Sequence, residues 1–244
     1  METESRPTPL LLIHGFPLDA RMWRHTLAFF DGSRRVFAPD LSGLLGHAGD
    51  FTIRDAASAL LKWMPARKAV VAGLSMGGYI ALEMWNAAPE RFAGIVLVDT
   101  KAEADTPEAK AGRDAMAAAV EAGGVIEATK SMRERLLSPL APQSVRDELL
   151  GIVSAQDASF LVACQRAMRD REDNVGTLPH VTVPALVVVG ADDVITPPET
   201  ARRMAALLPE SHLDIVPRAG HLTPMEAPDA FGAALERWLI RHGL

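Results

Sequence analysis

The sequence predicts an α/β fold with a mainly parallel sheet, helices on both of its faces, and a helical insertion in the second half. Three observations carry this. Six short runs of branched aliphatic residues recur along the 244-residue chain. Most are continuously apolar, as expected for strands buried on both faces of a parallel sheet. Helix-like stretches separate the runs, and strand–helix alternation of this kind means a doubly wound sheet. The alternation breaks once, from about 101 to 183.

In chain order, "PLLLIHG" (9–15) is the first strand and "DARMWRHTLAFF" (19–30) the first helical stretch. "RRVFAPDL" (34–41) and "KAVVAGLS" (68–75) are further strands, with "FTIRDAASALLKWM" (51–64) helical between them. "GGYIALEMWNAAPERF" (77–92) leads as a helix into the strand "GIVLVDT" (94–100). The stretch 101–183 holds only Ala-, Glu- and Arg-rich helical segments, such as 106–123 and 157–171. At about eighty residues it far exceeds a βα connection of roughly 2 to 6, so it reads as a helical cap over one end of the sheet. The strand "PALVVVGADD" (184–193), the helix 197–209, the strand "HLDIVPRAG" (212–220) and the helix 227–242 complete the pattern. The expected division is a core of 1–100 and 184–244 with the cap at 101–183.

Composition narrows the function. A net charge of −6 argues against a nucleic-acid partner, because phosphate neutralisation needs a basic face. It disfavours an anionic membrane surface for the same reason. No run approaches the roughly 18 apolar residues of a membrane span. The acidic start, "METESRPTPLLLIHG", lacks a secretory signal pattern. The single cysteine, Cys164, excludes an intramolecular disulfide and any cysteine-rich zinc site. A cytoplasmic protein is expected. The phosphate-loop, dinucleotide and zinc-protease patterns are absent, so neither a nucleotide cofactor nor a metal is expected. Nothing in the sequence chooses between monomer and homodimer.

The chemistry is concentrated in "AVVAGLSMGGYIALEM" (69–84), where three glycines surround one serine as a strand gives way to a helix. A serine on a sharp turn at the carboxyl end of a parallel strand projects to where ligands bind. Such a turn crowds the positions two before and two after, and Gly73 and Gly77 stand there. Gly78 lets the helix begin close to the sheet. Composition alone produces G-x-S-x-G in roughly one chain in ten of this length, so its place between strand and helix carries the argument. The alternative is a tight turn with a serine helix cap.

A serine hydroxyl is a weak nucleophile that needs a base, and the base needs an orienting acid. Of seven histidines, His221 follows the last strand and precedes the last helix, at the same sheet edge as Ser75. Carboxylates at that edge are Asp192 and Asp193 after the fifth run and Asp99 after the fourth. The order serine, aspartate, histidine fits a nucleophile elbow. "HGFP" ends the first strand with a glycine, so the Phe16 amide can join the Met76 amide at a helix N-terminus in binding an oxyanion.

"HGFP", "GLSMGG", "GADDVITPP" and "AGHLTPMEAP" together resemble the α/β-hydrolase superfamily, matching its oxyanion strand, nucleophile elbow, acid loop and histidine loop in order. The resemblance runs from about residue 9 to the C-terminus. Its layout and "HGFPLDARMW" look most like the 3-oxoadipate enol-lactonase and small carboxylesterase branch. The resemblance implies an α/β-hydrolase fold and a serine hydrolase acting on a small, largely apolar carboxylic ester or lactone. Ser75 is then the nucleophile, His221 the base and Asp193 the acid, since Gly190 and Pro197 frame Asp193 as in the family's acid loop. Asp99 is held in reserve, because some relatives take the acid from the strand before the cap. Two departures stand out. Only eight residues precede the first strand, so the family's usual N-terminal antiparallel hairpin is not expected and a sheet edge is expected to be open or covered by a partner. Also, "DLSGLLGHAGD" (40–50) replaces the usual shorter turn.

The helix-spaced stripe in "SFLVACQRAM" packs the cap onto the core, and within it Phe160 and Met168 are candidates to line an apolar pocket, with Val194 and Leu222. Cap arginines 133, 135, 166, 169 and 171 either hold an acidic substrate or belong to a solvated helix surface. Perhydrolase or lyase chemistry at the same serine is an alternative, as is a ligand receptor or scaffold on this fold.

Overall fold

The computed structural model describes residues 7–46 and 49–244. Two residues of the 40–50 loop, 47 and 48, thus lie outside the described residues, as do 1–6. Six strands form one sheet: β1 (Leu10–Ile13), β2 (Val36–Phe37), β3 (Ala69–Leu74), β4 (Phe92–Val98), β5 (Ala185–Gly190) and β6 (Ser211–Val216). Their order is β2-β1-β3-β4-β5-β6, and every pairing is parallel. The first half carries α1 (Arg24–Phe29), α2 (Leu41–Leu45), α3 (Ile53–Trp63) and α4 (Met76–Ala87). Between β4 and β5 lie α5 (Pro107–Gly123), α6 (Val125–Ala128), α7 (Lys130–Leu136), α8 (Gln143–Ser154) and α9 (Ala158–Arg169). The chain ends with α10 (Pro198–Leu207), α11 (Thr223–Glu226) and α12 (Pro228–Arg241).

The inner strands β1, β3, β4 and β5 read as unbroken apolar runs because the sheet is covered twice. Leu11, Ile13, Val71, Ile95, Leu97 and Val187 point to one face, toward α3, α4 and α10. Leu10, Leu12, Val70, Val96, Val98 and Val188 point to the other, toward Trp23, Phe231 and Trp238. Successive side chains of a strand alternate between faces, so an apolar run fills two cores at once. β2 is shorter than its apolar run suggests: it pairs only at Val36 and Phe37. Pro39, two residues on, has no N–H to continue the ladder.

Three of the longer helices start on a local side-chain cap. Thr52 and Asp55 form a reciprocal capping box on α3. Thr106 caps α5 with Pro107 in its first turn, and Asp157 caps α9 through the Phe160 amide at 2.9 Å. α9 buries Phe160, Cys164, Ala167 and Met168 in the same core as Phe16 and Met76, and Phe160 stacks on Phe51 with ring centroids 5.8 Å apart. The two stems of the α5–α9 segment are tied together at its base. The Asn174 amide donates to the Ala102 carbonyl at 2.9 Å. Buried Arg171 pairs with Asp105 at 2.9 Å and lies 4.2 Å from the Tyr79 ring centroid.

The topology selects one place for a site. From β1 the chain moves outward to β2, then crosses back to β3 on the other side of β1. The carboxyl ends of β1 and β3 therefore flank the point where connections leave in opposite directions, which is where open α/β sheets bind ligands.

Candidate active site

Ser75 sits at that point, half-buried, between β3 and α4. Its backbone adopts φ 53° and ψ −114°, a conformation that L-residues rarely take and that functional turns hold under strain. The flanking glycines are required by contact with main chain. A Cβ on Gly73 would lie 2.1 Å from the Gly77 carbonyl oxygen, and one on Gly77 would lie 2.2 Å from the Ile13 carbonyl oxygen. The Thr100 hydroxyl donates to the Ser75 carbonyl at 2.7 Å and fastens the turn to the end of β4.

A continuous hydrogen-bonded chain leads away from the serine. His221 Nε2 is 2.9 Å from Ser75 Oγ, and His221 Nδ1 is 2.8 Å from Asp193 Oδ2. Asp193 is buried and its position is over-determined. Its Oδ1 accepts the amides of Ile195 at 2.7 Å and Thr196 at 3.0 Å, while Oδ2 also accepts the Thr196 hydroxyl at 2.7 Å. Burial pushes the Asp193 carboxyl up, but the hydrogen bond and charge of His221 hold it below the ordinary carboxylate value. For His221 burial pulls down, and the hydrogen bond and charge of Asp193 raise the ring above its ordinary value.

Asp99, the reserve acid, is fully buried nearby but bonds neither ring nitrogen. It accepts the Gly190 amide at 2.9 Å and the Thr223 hydroxyl at 2.9 Å on Oδ1, and the Thr223 amide at 3.0 Å on Oδ2. It thereby ties the acid loop to the histidine loop. Burial, helped by the charge of Asp193, pushes its carboxyl up to about 7.

The amides of Phe16 and Met76 have no hydrogen-bond acceptor among the described residues. The strand ends that carry them meet closely: a Cβ on Gly15 would lie 3.3 Å from Ser75 Cβ. The Gly78 and Tyr79 amides donate to the Ser75 carbonyl at 2.9 and 3.3 Å, which leaves the Met76 amide ahead of the first helical hydrogen bond. A family model described as "Alpha/beta hydrolase family" matches residues 10–234, nearly the whole chain.

The chain belongs to the alpha/beta hydrolase family.

Among solved structures, this hydrolase is similar to a thermophilic esterase from Thermogutta terrifontis, at 33% identity and a TM-score of 0.91 over 98% of this chain and 91% of that one. Among curated relatives, a Mycobacterium tuberculosis protein bearing the name non-heme bromoperoxidase BpoC is 29% identical over 93% of this chain and 92% of its own length. The 3-oxoadipate enol-lactonase 2 of Acinetobacter baylyi is 24% identical, covering 95% and 88%.

The remaining candidates fall in different surroundings. Phe160 and Met168 join the core cluster that contains Phe16 and Met76. Leu222 is buried on the opposite side, with Leu136, Leu137 and Met225. Val194 is 58% exposed, since it follows Asp193 in a turn whose polar side faces inward. The arginines of α9 are paired: Arg166 with Asp50 and Glu121, and Arg169 with Asp114 and Asp170. No helix among the described residues is long and apolar enough to cross a membrane, and no group of three or more ligating side chains among them is placed to hold a metal ion.

Sequence reasoning missed Thr196, Thr223 and Glu226. Thr196 holds Asp193 and lies 3.2 Å from His221 Nδ1. Its signal was an aspartate followed three residues later by a threonine, the pattern of a side chain capping its own turn. Glu226 accepts three loop amides around His221, and nothing in "HLTPME" distinguishes it from an acidic residue favoured in any first helical turn.

Proposed function

We propose that this hydrolase cleaves a carboxylic ester or lactone of a small, largely apolar substrate through an acyl-enzyme on Ser75. The observation that carries the reading is the unbroken chain Ser75–His221–Asp193, with links of 2.9 and 2.8 Å. Neutral His221 takes the Ser75 proton as Oγ attacks the carbonyl carbon. The tetrahedral oxyanion is held by the Phe16 and Met76 amides, each donor worth roughly 3 kcal/mol in the transition state. His221 then returns the proton to the leaving alkoxide, and the acyl group stays on Ser75. Water, deprotonated by the same ring, attacks the acyl carbon, and the second collapse frees the acid and restores the serine. Asp193 fixes the Nδ1–H tautomer and stabilises the imidazolium. Asp99 orders loops and takes no part in the proton path.

The 101–183 segment serves as the cap. Phe160 and Met168 would form the apolar wall over the oxyanion amides, which is supported by their packing in one cluster with Phe16 and Met76. An apolar acyl or alcohol part of the substrate would lie against this wall. The names of the esterase and lactonase relatives agree with that chemistry.

A second reading, perhydrolysis, is supported by the name of the mycobacterial relative. In it hydrogen peroxide replaces water in attack on the same acyl-enzyme and yields a peracid. One panel separates the readings. Short-to-medium 4-nitrophenyl esters are assayed with wild type and Ser75→Ala, with and without peroxide and a halogenation indicator. Ser75-dependent release of nitrophenol without peroxide supports the esterase reading, and its chain-length optimum sizes the pocket. Ser75-dependent halogenation at rates rivalling hydrolysis favours perhydrolysis. Turnover that survives Ser75→Ala contradicts both.

A further inference from the structure

Three consecutive backbone amides of the histidine loop are held from outside it. Glu226 Oε1 accepts the Gly220 amide at 2.9 Å and the Leu222 amide at 3.2 Å. Between them, the His221 amide donates to the Leu136 carbonyl at 2.9 Å, and Leu136 ends α7 in the helical insertion. Two residues later the insertion returns to the same carboxylate, where the Ser138 amide donates to Glu226 Oε2 at 2.7 Å. The buried Ser138 hydroxyl donates to Asp192 Oδ2 at 2.6 Å, and the Asp192 amide donates to the Ala219 carbonyl at 2.8 Å. The approach leaves no room for side chains: a Cβ on Gly220 would lie 2.5 Å from the Ser138 nitrogen.

We propose that these contacts form a latch through which residues 136–138 of the insertion set the position of His221, with Glu226 and Asp192 as positioning residues. The inference rests on the triad reading above and adds to it a dependence of the histidine on the docking of the cap. Two neighbouring carboxylates on one loop divide the labour, Asp193 toward the imidazole and Asp192 toward the insertion. The imidazole is gripped at 2.8 Å on one side and 2.9 Å on the other. A shift of its backbone by about 1 Å breaks one grip, and misplacement on that scale costs about 100-fold in rate. A cap segment that leaves its seat therefore disarms the base without touching substrate.

The test uses the full chain with Asp192→Ala, Asp192→Asn, Ser138→Ala and Glu226→Gln. Kinetics on an ester that the wild type turns over are combined with amide hydrogen exchange of peptides spanning 134–140 and 217–227. An asparagine in place of Asp192 keeps an acceptor for the Ser138 hydroxyl, and a glutamine in place of Glu226 keeps one acceptor atom of two. The expected result is a fall in kcat of about 10- to 100-fold for Asp192→Ala and Glu226→Gln, with KM little changed. Asp192→Asn recovers most of the loss. In each impaired variant both peptides exchange faster, although the substitution lies in only one of them for Ser138→Ala and Glu226→Gln and in neither for Asp192→Ala. Faster exchange confined to one of the two peptides, or seen in neither for Asp192→Ala, overturns the latch, as does kcat near wild type in Asp192→Ala. Asp192→Asn as crippled as Asp192→Ala would mean that the charge of Asp192 matters rather than its bond to Ser138, and also overturns it. If Glu226→Gln does not fold, the Asp192 pair decides alone. Failure of the triad reading shows separately, as turnover in Ser75→Ala beside an intact exchange coupling.

Discussion

Replacing Asp193 by asparagine changes one atom and reverses the direction of a hydrogen bond. In the wild type, Asp193 Oδ2 accepts from His221 Nδ1 at 2.8 Å, while Oδ1 faces the amides of Ile195 and Thr196. Those two amides are fixed donors, so the carbonyl oxygen of the introduced carboxamide must face them and its NH2 must face the ring. The NH2 can only donate, which demands a bare Nδ1 and moves the ring proton to Nε2. From Nε2, 2.9 Å away, the ring then donates to Ser75 Oγ instead of accepting its proton. The base is lost while both loop amides keep their acceptor, so the fold survives. The same substitution in a serine protease of like geometry lowers kcat about 10⁴-fold, or roughly 5 kcal/mol. A loss of that order is expected here with little change in thermal midpoint. Asp99→Asn supplies the contrast. Its carboxylate bonds Gly190 and Thr223 but not the ring, and each of its oxygens faces a fixed amide donor. The introduced NH2 therefore costs about 1–3 kcal/mol of stability through the loops, while kcat of the folded enzyme stays within about tenfold. The assay is steady-state hydrolysis of a 4-nitrophenyl ester at saturating substrate near pH 8. Asp193→Asn within tenfold of wild type, or an Asp99→Asn variant more impaired than it, refutes the reasoning.

Two further outcomes follow from the same geometry. Gly77→Ala places a methyl 2.2 Å from the Ile13 carbonyl oxygen and 3.0 Å from that of His14, both main chain. β1 must separate from the start of α4, so urea unfolding should show a loss of about 1–3 kcal/mol, and ester turnover should fall with it because the two oxyanion donors part; wild-type stability in this variant would mean that the turn has slack. The acid limb of kcat/KM follows His221, which must be neutral to act. Since the ring is raised by Asp193 despite its burial, activity should be lost as pH falls through a value above the usual 6.5. Removing the carboxylate charge in Asp193→Asn should move the residual limb to lower pH; a wild-type limb below 6.5 would contradict the electrostatics.

The sheet and the elbow were legible because each rests on a local signal. Burial on both faces leaves unbroken apolar runs, and a strained turn leaves glycines where it meets the helix start (Gly73), β1 (Gly77) and Thr100 (Gly78). The contacts that organise the loops were not legible, because they join residues far apart in the chain. Asp99 meets Gly190 91 residues on, and Ser138 meets Glu226 88 residues on. No periodicity or spacing encodes such a partner. That is why Asp99 stood as a rival acid in the sequence, whereas in the structure its acceptors are already filled by Gly190 and Thr223. Val194 shows the limit from the other side. Adjacency to Asp193 suggested a pocket wall, but adjacency in sequence does not fix a side chain's surroundings, and Val194 is 58% exposed while Asp193 is buried. The 34–41 run overstated β2 because apolar character marks burial, while strand length is set by which amides find a ladder partner.

The measurement that bears most directly on the central claim is covalent labelling with a fluorophosphonate. Its phosphorus is attacked by an activated serine oxygen, fluoride leaves, and the serine proton passes to the base. Intact mass and peptide mapping should show one adduct, on the peptide that contains Ser75. Labelling should vanish in Ser75→Ala and slow by orders of magnitude in His221→Ala and Asp193→Asn. No adduct under conditions that label a control serine hydrolase, or an adduct that persists in Ser75→Ala, would contradict an activated nucleophile at Ser75.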